Sequence, residues 1–204
     1  MEPTISKKQL EKIMNVQGEI RGLALKNYGK YILRENKKEG LKRLEEAMLS
    51  FDCPIQYEKL KAMVFYPLWW SILTFALLIE LFHYDEQKFQ EMGRFCFKFP
   101  NIIMIWAKYL ISIEKAAKSS SRMHRMYFTV GDLTVPEYSQ EKKYAVLRLK
   151  DYPVYPINSP RMYCYFLAGY YCSIIQVITG KEAIGEETKC VYKGDEYHEF
   201  LIKW

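Results

Sequence analysis

Side chains that can bind a metal ion are concentrated in the last part of this 204-residue chain, from Arg161 to Trp204. They are Cys164, Glu187, Cys190 and His198. Zinc is bound in tetrahedral sets of thiolate, imidazole and carboxylate ligands, so one interpretation is a zinc site. The other is that these are ordinary buried cysteines and a surface histidine, because the chain has no CxxC pair.

A helix and a hairpin would have to position these side chains. Apolar residues recur at three- and four-residue steps through the segment that contains Cys164, and Gly180 stands where such a helix should end. Two extended segments follow, at 186–192 and 197–204, and a turn between them would place the later thiol opposite the imidazole. In a regular strand Glu187 would face away from that thiol, so a shared site requires a bulge or a strand that is just beginning.

The C-terminal sequence GYYCSIIQVITGKEAIGEETKCVYKGDEYHEFLIKW resembles the signature of the 4-vinyl reductase domain family. That signature has a GY-containing helix, a TGK turn and then EETKC, KGD and EF. The resemblance implies a small-molecule-binding domain of the kind found alone, in a bacteriochlorophyll biosynthesis protein and as the sensor of phenol-responsive transcription activators. It also implies a fold similar to that of the TRAPP vesicle-tethering subunits. Earlier parts of the chain match only loosely.

The resemblance further implies a set of metal ligands. In the phenol sensors of this family, a structural zinc is held by a helix cysteine, a Glu-x2-Cys pair and a later cysteine. Cys164, Glu187, Cys190 and His198 occupy that pattern, with histidine where the family usually has cysteine. Histidine is also a zinc ligand. We therefore predict one structural zinc that fixes the hairpin to the helix.

Composition is that of an ordinary globular protein. Half of the residues are apolar and 16% are aromatic, which fits either a well-filled core or an aromatic-lined pocket. The net charge of +6 comes from interleaved charges, and no DNA-binding motif is present, so we predict no direct contact with nucleic acid. Five cysteines and a polar, Lys-rich start indicate a cytoplasmic protein without a disulfide framework.

Hydrophobic periodicity predicts helices first and strands later. The predicted helices begin at Lys7 and then cover 23–35, 41–49, 68–83, 86–98 and 102–119. Alternation predicts strands at 123–130 and 144–150, which join the C-terminal hairpin. The predicted fold is α+β, with a helical layer packed on an antiparallel sheet of about four strands. Residues 1–50 should form a helical segment packed on a ligand-binding domain of residues 51–204, in one compact unit.

The most apolar run extends from Met63 to Phe82. Pro67 and Glu80 interrupt it, so it predicts a buried helix and no membrane span. The run is more apolar than one small domain is expected to bury alone. We therefore predict a homodimer in which this helix or the helix 102–119 takes part.

No nucleophile elbow, P-loop or dinucleotide fingerprint is present, so the sequence favours binding over catalysis. One hypothesis is a sensor or carrier of a hydrophobic or aromatic small molecule, with a pocket between helices and sheet and a separate signalling partner protein. The other is a dimeric, non-catalytic scaffold resembling the TRAPP subunits. The predicted ligand-binding residues are Trp69, Trp70, Phe75, Trp106, Tyr109, His124, Tyr127, Phe128, Phe166 and Tyr170, with His124, Tyr109 and Tyr170 as polar contacts.

Overall fold

Helices and strands succeed one another along residues 5–98 and 112–204, which are the residues that this computed structural model describes. In chain order the elements are α1 (Lys7–Met14), β1 (Glu19–Arg21), α2 (Gly22–Ser50), β2 (Phe65–Pro67), α3 (Leu68–Phe82), α4 (Glu86–Lys98), α5 (Ile113–Arg125), β3 (Asp132–Ser139), β4 (Tyr144–Lys150), α6 (Met162–Thr179), β5 (Ile184–Lys189) and β6 (His198–Lys203). Most of the predicted helix 102–119, with Trp106 and Tyr109, lies outside the described residues.

The main sheet has four antiparallel strands in the order β3-β4-β6-β5. On β4, Ala145, Leu147 and Leu149 are buried and alternate with partly exposed residues, as expected for a sheet with one face on the core. On β5 the pairing with β6 shifts between Glu187 and Lys189, which marks a bulge. The predicted fold class, α+β with about four antiparallel strands, is confirmed.

The central helix is α6, which contacts α4 as well as β5 and β6. It ends at Gly180, whose φ of 70° is the left-handed conformation that glycine adopts freely at a helix C-terminus. Among the described helices, α6 is the one that is long and apolar enough to cross a membrane. Core helices pass the same test, and the contacts of α6 on two sides are those of a core helix.

Two glycines set how closely α4 and α6 approach. A Cβ atom at Gly93 would lie 2.0 Å from the backbone oxygen of Phe166, and one at Gly169 would lie 2.0 Å from the backbone oxygen of Gln90. Both distances are far below any van der Waals contact between these atoms. The backbones of the two helices therefore touch directly, and only glycine allows this at either position.

The segment around residue 123 is the clearest correction to the sequence prediction, because it is helical where a strand at 123–130 was predicted. Helix α5 runs through Arg125, and the chain enters the sheet only at Asp132. The serines at 119–121 do not break the helix. The Ser120 hydroxyl oxygen instead lies 2.8 Å from the Ala117 carbonyl oxygen and 3.0 Å from the Leu133 carbonyl oxygen, so its single hydrogen can bond back along the helix or across to β3. Long and polar residues alternate in this segment, and this alternation is the reason why a strand was predicted there.

The N-terminal half largely follows the prediction. Helix α2 consists of two helical parts that meet at Lys37, where φ is 61° and ψ is −171°, between the helices predicted at 23–35 and 41–49. Strand β1 pairs with β2 in a small second sheet. Helix α3 matches its predicted bounds to within one residue.

Helix α3 is buried by its own chain. Ile72, Leu73 and Leu77 are fully buried, and the helix contacts α1 and α2. Helix α3 therefore needs no second subunit to cover it, whereas Met63 and Val64 at the start of the apolar run are exposed.

Candidate ligand-binding cavity and thiol cluster

An apolar cavity of about 90 Å³ lies between α5, α6 and the core face of the sheet. Helix α5 contributes one face with helical spacing, and α6 contributes mostly apolar side chains along its length. The α5 residues that line it are Ile113, Ala116, Ala117, Ser120, Met123 and His124. Those from α6 are Phe166, Leu167, Tyr170, Tyr171, Ile174, Ile175 and Ile178, and those from β3 and β4 are Leu133, Val135, Ala145 and Leu147.

Five of the predicted ligand-binding residues line this cavity: His124, Tyr127, Phe128, Phe166 and Tyr170. They come from α5, from the connection that follows it, and from α6. Trp106 and Tyr109 lie outside the described residues. The cavity therefore has the predicted position, between the helical layer and the sheet.

The three rings of α3 that were predicted to bind ligand do not line the cavity. Phe75 is fully buried and stacks on Phe89 at 4.9 Å between ring centroids. Trp69 and Trp70 contact each other. Helix α3 packs on the N-terminal helices, so its aromatic side chains build the core on that side.

Sequence analysis missed the small residues that leave room for the cavity. Ala116, Ala117 and Ser120 lie on the cavity side of α5, and their short side chains leave space that larger residues would fill. Their spacing is helical and could have indicated this face. The predicted end of the helix at residue 119, before two further serines, concealed it.

His124 is the ionisable imidazole on the cavity wall. It is 8% exposed, and its Nε2 lies 2.9 Å from the carbonyl oxygen of Val130. Because a carbonyl only accepts, Nε2 of the neutral ring carries the hydrogen and Nδ1 is an acceptor. Burial lowers the pKa of His124, and the positive charge of Arg125 lowers it further. The hydrogen bond to Val130 and the negative charge of Asp132 raise the pKa, but by less.

We expect this histidine to make stability depend on pH. Its pKa is lower in the folded chain than the ordinary value of 6.5, so below that value the unfolded chain binds more protons. The free energy of unfolding should therefore fall as the pH falls from about 7 to 5. Urea unfolding at a series of pH values measures this, and His124→Gln should flatten the curve.

The control for that experiment is His83→Asn, which removes an exposed imidazole from the left-handed position that ends α3. It should leave the pH dependence unchanged. Equal slopes for the wild-type protein and His124→Gln would contradict the prediction.

The second candidate site is the cluster formed by Cys164, Glu187, Cys190 and His198, here called the thiol cluster. One ligand atom from each residue lies within 4.8 Å of the other three. The two sulphur atoms are 3.9 Å apart, and Cys164 Sγ is 3.6 Å from His198 Nδ1. The same nitrogen is 3.0 Å from Glu187 Oε1.

The elements explain why these side chains meet. Cys164 lies in the first turn of α6, and His198 begins β6. The bulge on β5 changes the direction of the strand after Glu187, and Cys190 then follows at the start of a 3-10 turn. Side chains that a regular strand would point to opposite faces thereby reach the same point.

The cluster is buried, and its charges are coupled. Burial raises the pKa of both thiols, and the nearby Glu187 carboxylate raises it further. Burial also opposes ionisation of Glu187, but hydrogen bonds from His198 and the two thiols outweigh it, so the pKa of this carboxyl group is lowered. At neutral pH the cluster therefore holds a carboxylate and two protonated thiols.

No protein-family model and no curated protein sequence matches the chain. Among solved structures, it is similar to an H-NOX protein from S. oneidensis in the Fe(II)NO ligation state, with TM-score 0.63, 9% identity and coverage of 90% of this chain and 98% of that one. It is also similar to a protein from a study of heme redox potential and porphyrin distortion, with TM-score 0.56, 13% identity and coverage of 91% and 100%.

A third similar structure is the phenol-responsive sensory domain of the transcription activator PoxR with phenol, with TM-score 0.52, 15% identity and coverage of 70% of this chain and 77% of that one. Identities this low establish a shared fold. They do not establish membership of the 4-vinyl reductase domain family.

The predicted zinc cofactor is wrong on these comparisons. The structures that share the fold over most of this chain are H-NOX proteins and a protein studied for its heme, whose descriptions name iron and heme. We therefore withdraw zinc as the cofactor. The role of the four clustered side chains as metal ligands stays a prediction from sequence.

The described residues do not fit heme. Cofactor sites usually measure about 300–1,000 Å³, and the cavity is about 90 Å³. Histidine is a common axial ligand of heme iron, but the Nε2 of His124, the histidine on the cavity wall, is hydrogen-bonded to Val130. No lysine or arginine is among the described residues on the cavity wall to pair with propionates.

We expect the purified protein to bind no stoichiometric heme. A titration with hemin, followed by the Soret band after desalting, should leave less than about 0.1 heme per chain, because the cavity is too small for a porphyrin. Retention of one heme per chain would contradict the prediction that heme does not fit this cavity.

Proposed function

We propose that this protein is a small-molecule-binding sensor domain whose ligand is a compact hydrophobic or aromatic molecule. The observation that carries the proposal is the apolar cavity between α5, α6 and the sheet, with His124 on its wall. Apolar cavities with few convergent polar groups are the usual form of small-molecule sites.

The volume limits the size of the ligand. An engineered apolar cavity of about 150 Å³ in another protein binds benzene. The cavity here is about 90 Å³, so the ligand is at most a single ring, or a short chain of similar size. Fatty acids and tetrapyrroles exceed this volume.

One polar contact would select among such molecules. The Nδ1 atom of His124 is an acceptor, because Nε2 donates to Val130. A ligand hydroxyl group would donate to this nitrogen while its ring occupies the apolar space. One neutral hydrogen bond contributes about 0.5–1.5 kcal/mol, so phenol should bind roughly 3- to 10-fold more tightly than benzene.

The comparisons support this proposal through the shared fold. One similar structure is a phenol-responsive sensory domain with phenol, and another is an H-NOX protein with NO. Both descriptions name small ligands.

A thermal-shift panel tests the proposal. Phenol, benzene and toluene should raise the melting temperature in proportion to occupancy, while palmitate and hemin should not. Isothermal titration then gives the dissociation constants of phenol and benzene. If no single-ring compound raises the melting temperature up to its solubility limit, the proposal is wrong.

The scaffold hypothesis gains no support, because the described core contains a cavity and α3 is covered by its own chain. The homodimer stays a prediction that sedimentation velocity at micromolar concentration can test. One chain has a mass of 24.3 kDa. A dimer should sediment with twice this mass, and a single species of 24.3 kDa would contradict the predicted homodimer.

A further inference from the structure

Two thiols of the thiol cluster are close enough to react with each other. The sulphur atoms of Cys164 and Cys190 are 3.9 Å apart, although 26 positions separate the residues in sequence. A disulfide requires a sulphur–sulphur distance of about 2.05 Å, so closing the bond needs a movement of roughly 2 Å. One partner lies in the first turn of a helix and the other precedes a 3-10 turn, where movements of that size are small adjustments.

A surface cleft borders one of the two cysteines. The cleft has a volume of about 390 Å³ and lies between α4, α6 and β5. Its walls include Cys164 and Glu187 of the thiol cluster together with Glu86, Arg161 and Tyr165. Cys164 is 2% exposed and Cys190, which is not in the cleft wall, is 1% exposed, so Cys164 is the thiol nearer to a small oxidant in the cleft.

We propose that Cys164 and Cys190 are a redox-active pair that forms a reversible disulfide when a peroxide oxidises the cluster. Cys164 reacts through the small fraction of the thiol that is ionised. Its sulphur attacks one peroxide oxygen and breaks the O–O bond, the departing oxygen takes up the thiol proton to leave as one water molecule, and a sulfenic acid remains. The sulphur of Cys190 then displaces the sulfenic oxygen as a second water molecule. Two thiols and one hydrogen peroxide thus give one disulfide and two water molecules, and a dithiol reductant reverses the change.

The other cysteines are internal controls. Cys53, Cys96 and Cys172 are also buried and outside any disulfide, but none is in the cleft wall. Burial raises the pKa of each of these thiols, as it does for the cluster. The short sulphur–sulphur distance and the position of Cys164 beside the cleft, and not a difference in burial, therefore distinguish the cluster pair.

The disulfide should be detected by mass spectrometry of the wild-type protein. After treatment with hydrogen peroxide, the intact chain should lose about 2 Da, and a digest should show a cross-link between the peptides that contain Cys164 and Cys190. Dithiothreitol should restore the original mass. The melting temperature of the oxidised form should rise by several degrees, because the cross-link restricts the unfolded chain.

Matched variants separate the pair from the other thiols. Cys190→Ser should abolish the cross-link and leave Cys164 open to trapping as a sulfenic acid by dimedone, whereas Cys172→Ser should retain the cross-link. If Cys190→Ser does not fold, the wild-type peptide map decides alone. Absence of the cross-link at full consumption of peroxide would overturn the proposal, as would a tightly held metal ion that keeps both thiols unmodified.

The pair also connects to the cavity through α6. Phe166 and Leu167, which line the cavity, follow Cys164 within one helical turn. On the proposed function, the oxidised and reduced forms should therefore differ at least threefold in the dissociation constant for phenol, measured by titration calorimetry. Equal constants would contradict the coupling. The peptide map is measured without ligand. A missing cross-link would therefore contradict the redox pair and leave the proposed ligand-binding function untested by that experiment.

Discussion

Gly169→Ala should lower the free energy of unfolding by about 2 kcal/mol or more. A Cβ atom there would lie 2.0 Å from the backbone oxygen of Gln90. Overpacking costs about 1–3 kcal/mol, and the upper end applies because a backbone atom cannot rotate away. Alanine recovers about 1 kcal/mol through its higher helix propensity, which is too little to offset the clash. Urea unfolding followed by circular dichroism measures the change.

Gly93→Ala should have a similar effect, since its Cβ would meet the backbone oxygen of Phe166. The control is Gln87→Ala, an exposed position on α4, which should change stability by less than about 0.5 kcal/mol. If both glycine variants were as stable as this control, the direct backbone contact between α4 and α6 would be disproved.

Ala117→Leu should abolish stabilisation by ligands while the protein stays folded. The substitution places an isobutyl group beside a cavity of about 90 Å³, which leaves too little space for a ring. At a hundredfold excess over the dissociation constant, a ligand stabilises the wild-type protein by about 2.7 kcal/mol. In the variant this stabilisation should fall to near zero. Thermal shift with phenol measures the loss.

The matched control is Lys115→Leu, which introduces the same side chain on the exposed face of α5. It should preserve the response to phenol. A full phenol response in Ala117→Leu would show that the ligand binds elsewhere, and an equal loss in both variants would point to a general effect on α5.

The sequence by itself determined the elements whose signals are local. Helix α3 starts after Pro67 and α6 ends at Gly180, because these residues fix backbone angles regardless of their neighbours. Strand β4 follows from alternation, since one face of an antiparallel sheet is buried. The local signals did not identify every main strand, because β3 (Asp132–Ser139) follows the segment 123–130 where a strand was predicted.

The sequence also grouped the four residues of the thiol cluster, through their ligand types and through resemblance to a known signature. Spacing alone placed Glu187 and Cys190 on opposite faces of a strand. The bulge on β5 overrides that rule, and it forms only when β5 pairs with β6. Residue types did not determine whether the cluster binds a metal ion or carries out a reaction, because thiol, imidazole and carboxylate groups are used for both.

Only the tertiary structure decided where the cavity lies and how large it is. Aromatic content predicted a pocket but assigned Trp69, Trp70 and Phe75 to it, and these rings instead belong to the core around α3. The space comes from the small side chains of Ala116, Ala117 and Ser120 opposite the sheet. A cavity is the difference between the volume that surrounding elements enclose and the volume that side chains fill, and the enclosed volume is set only when the elements pack.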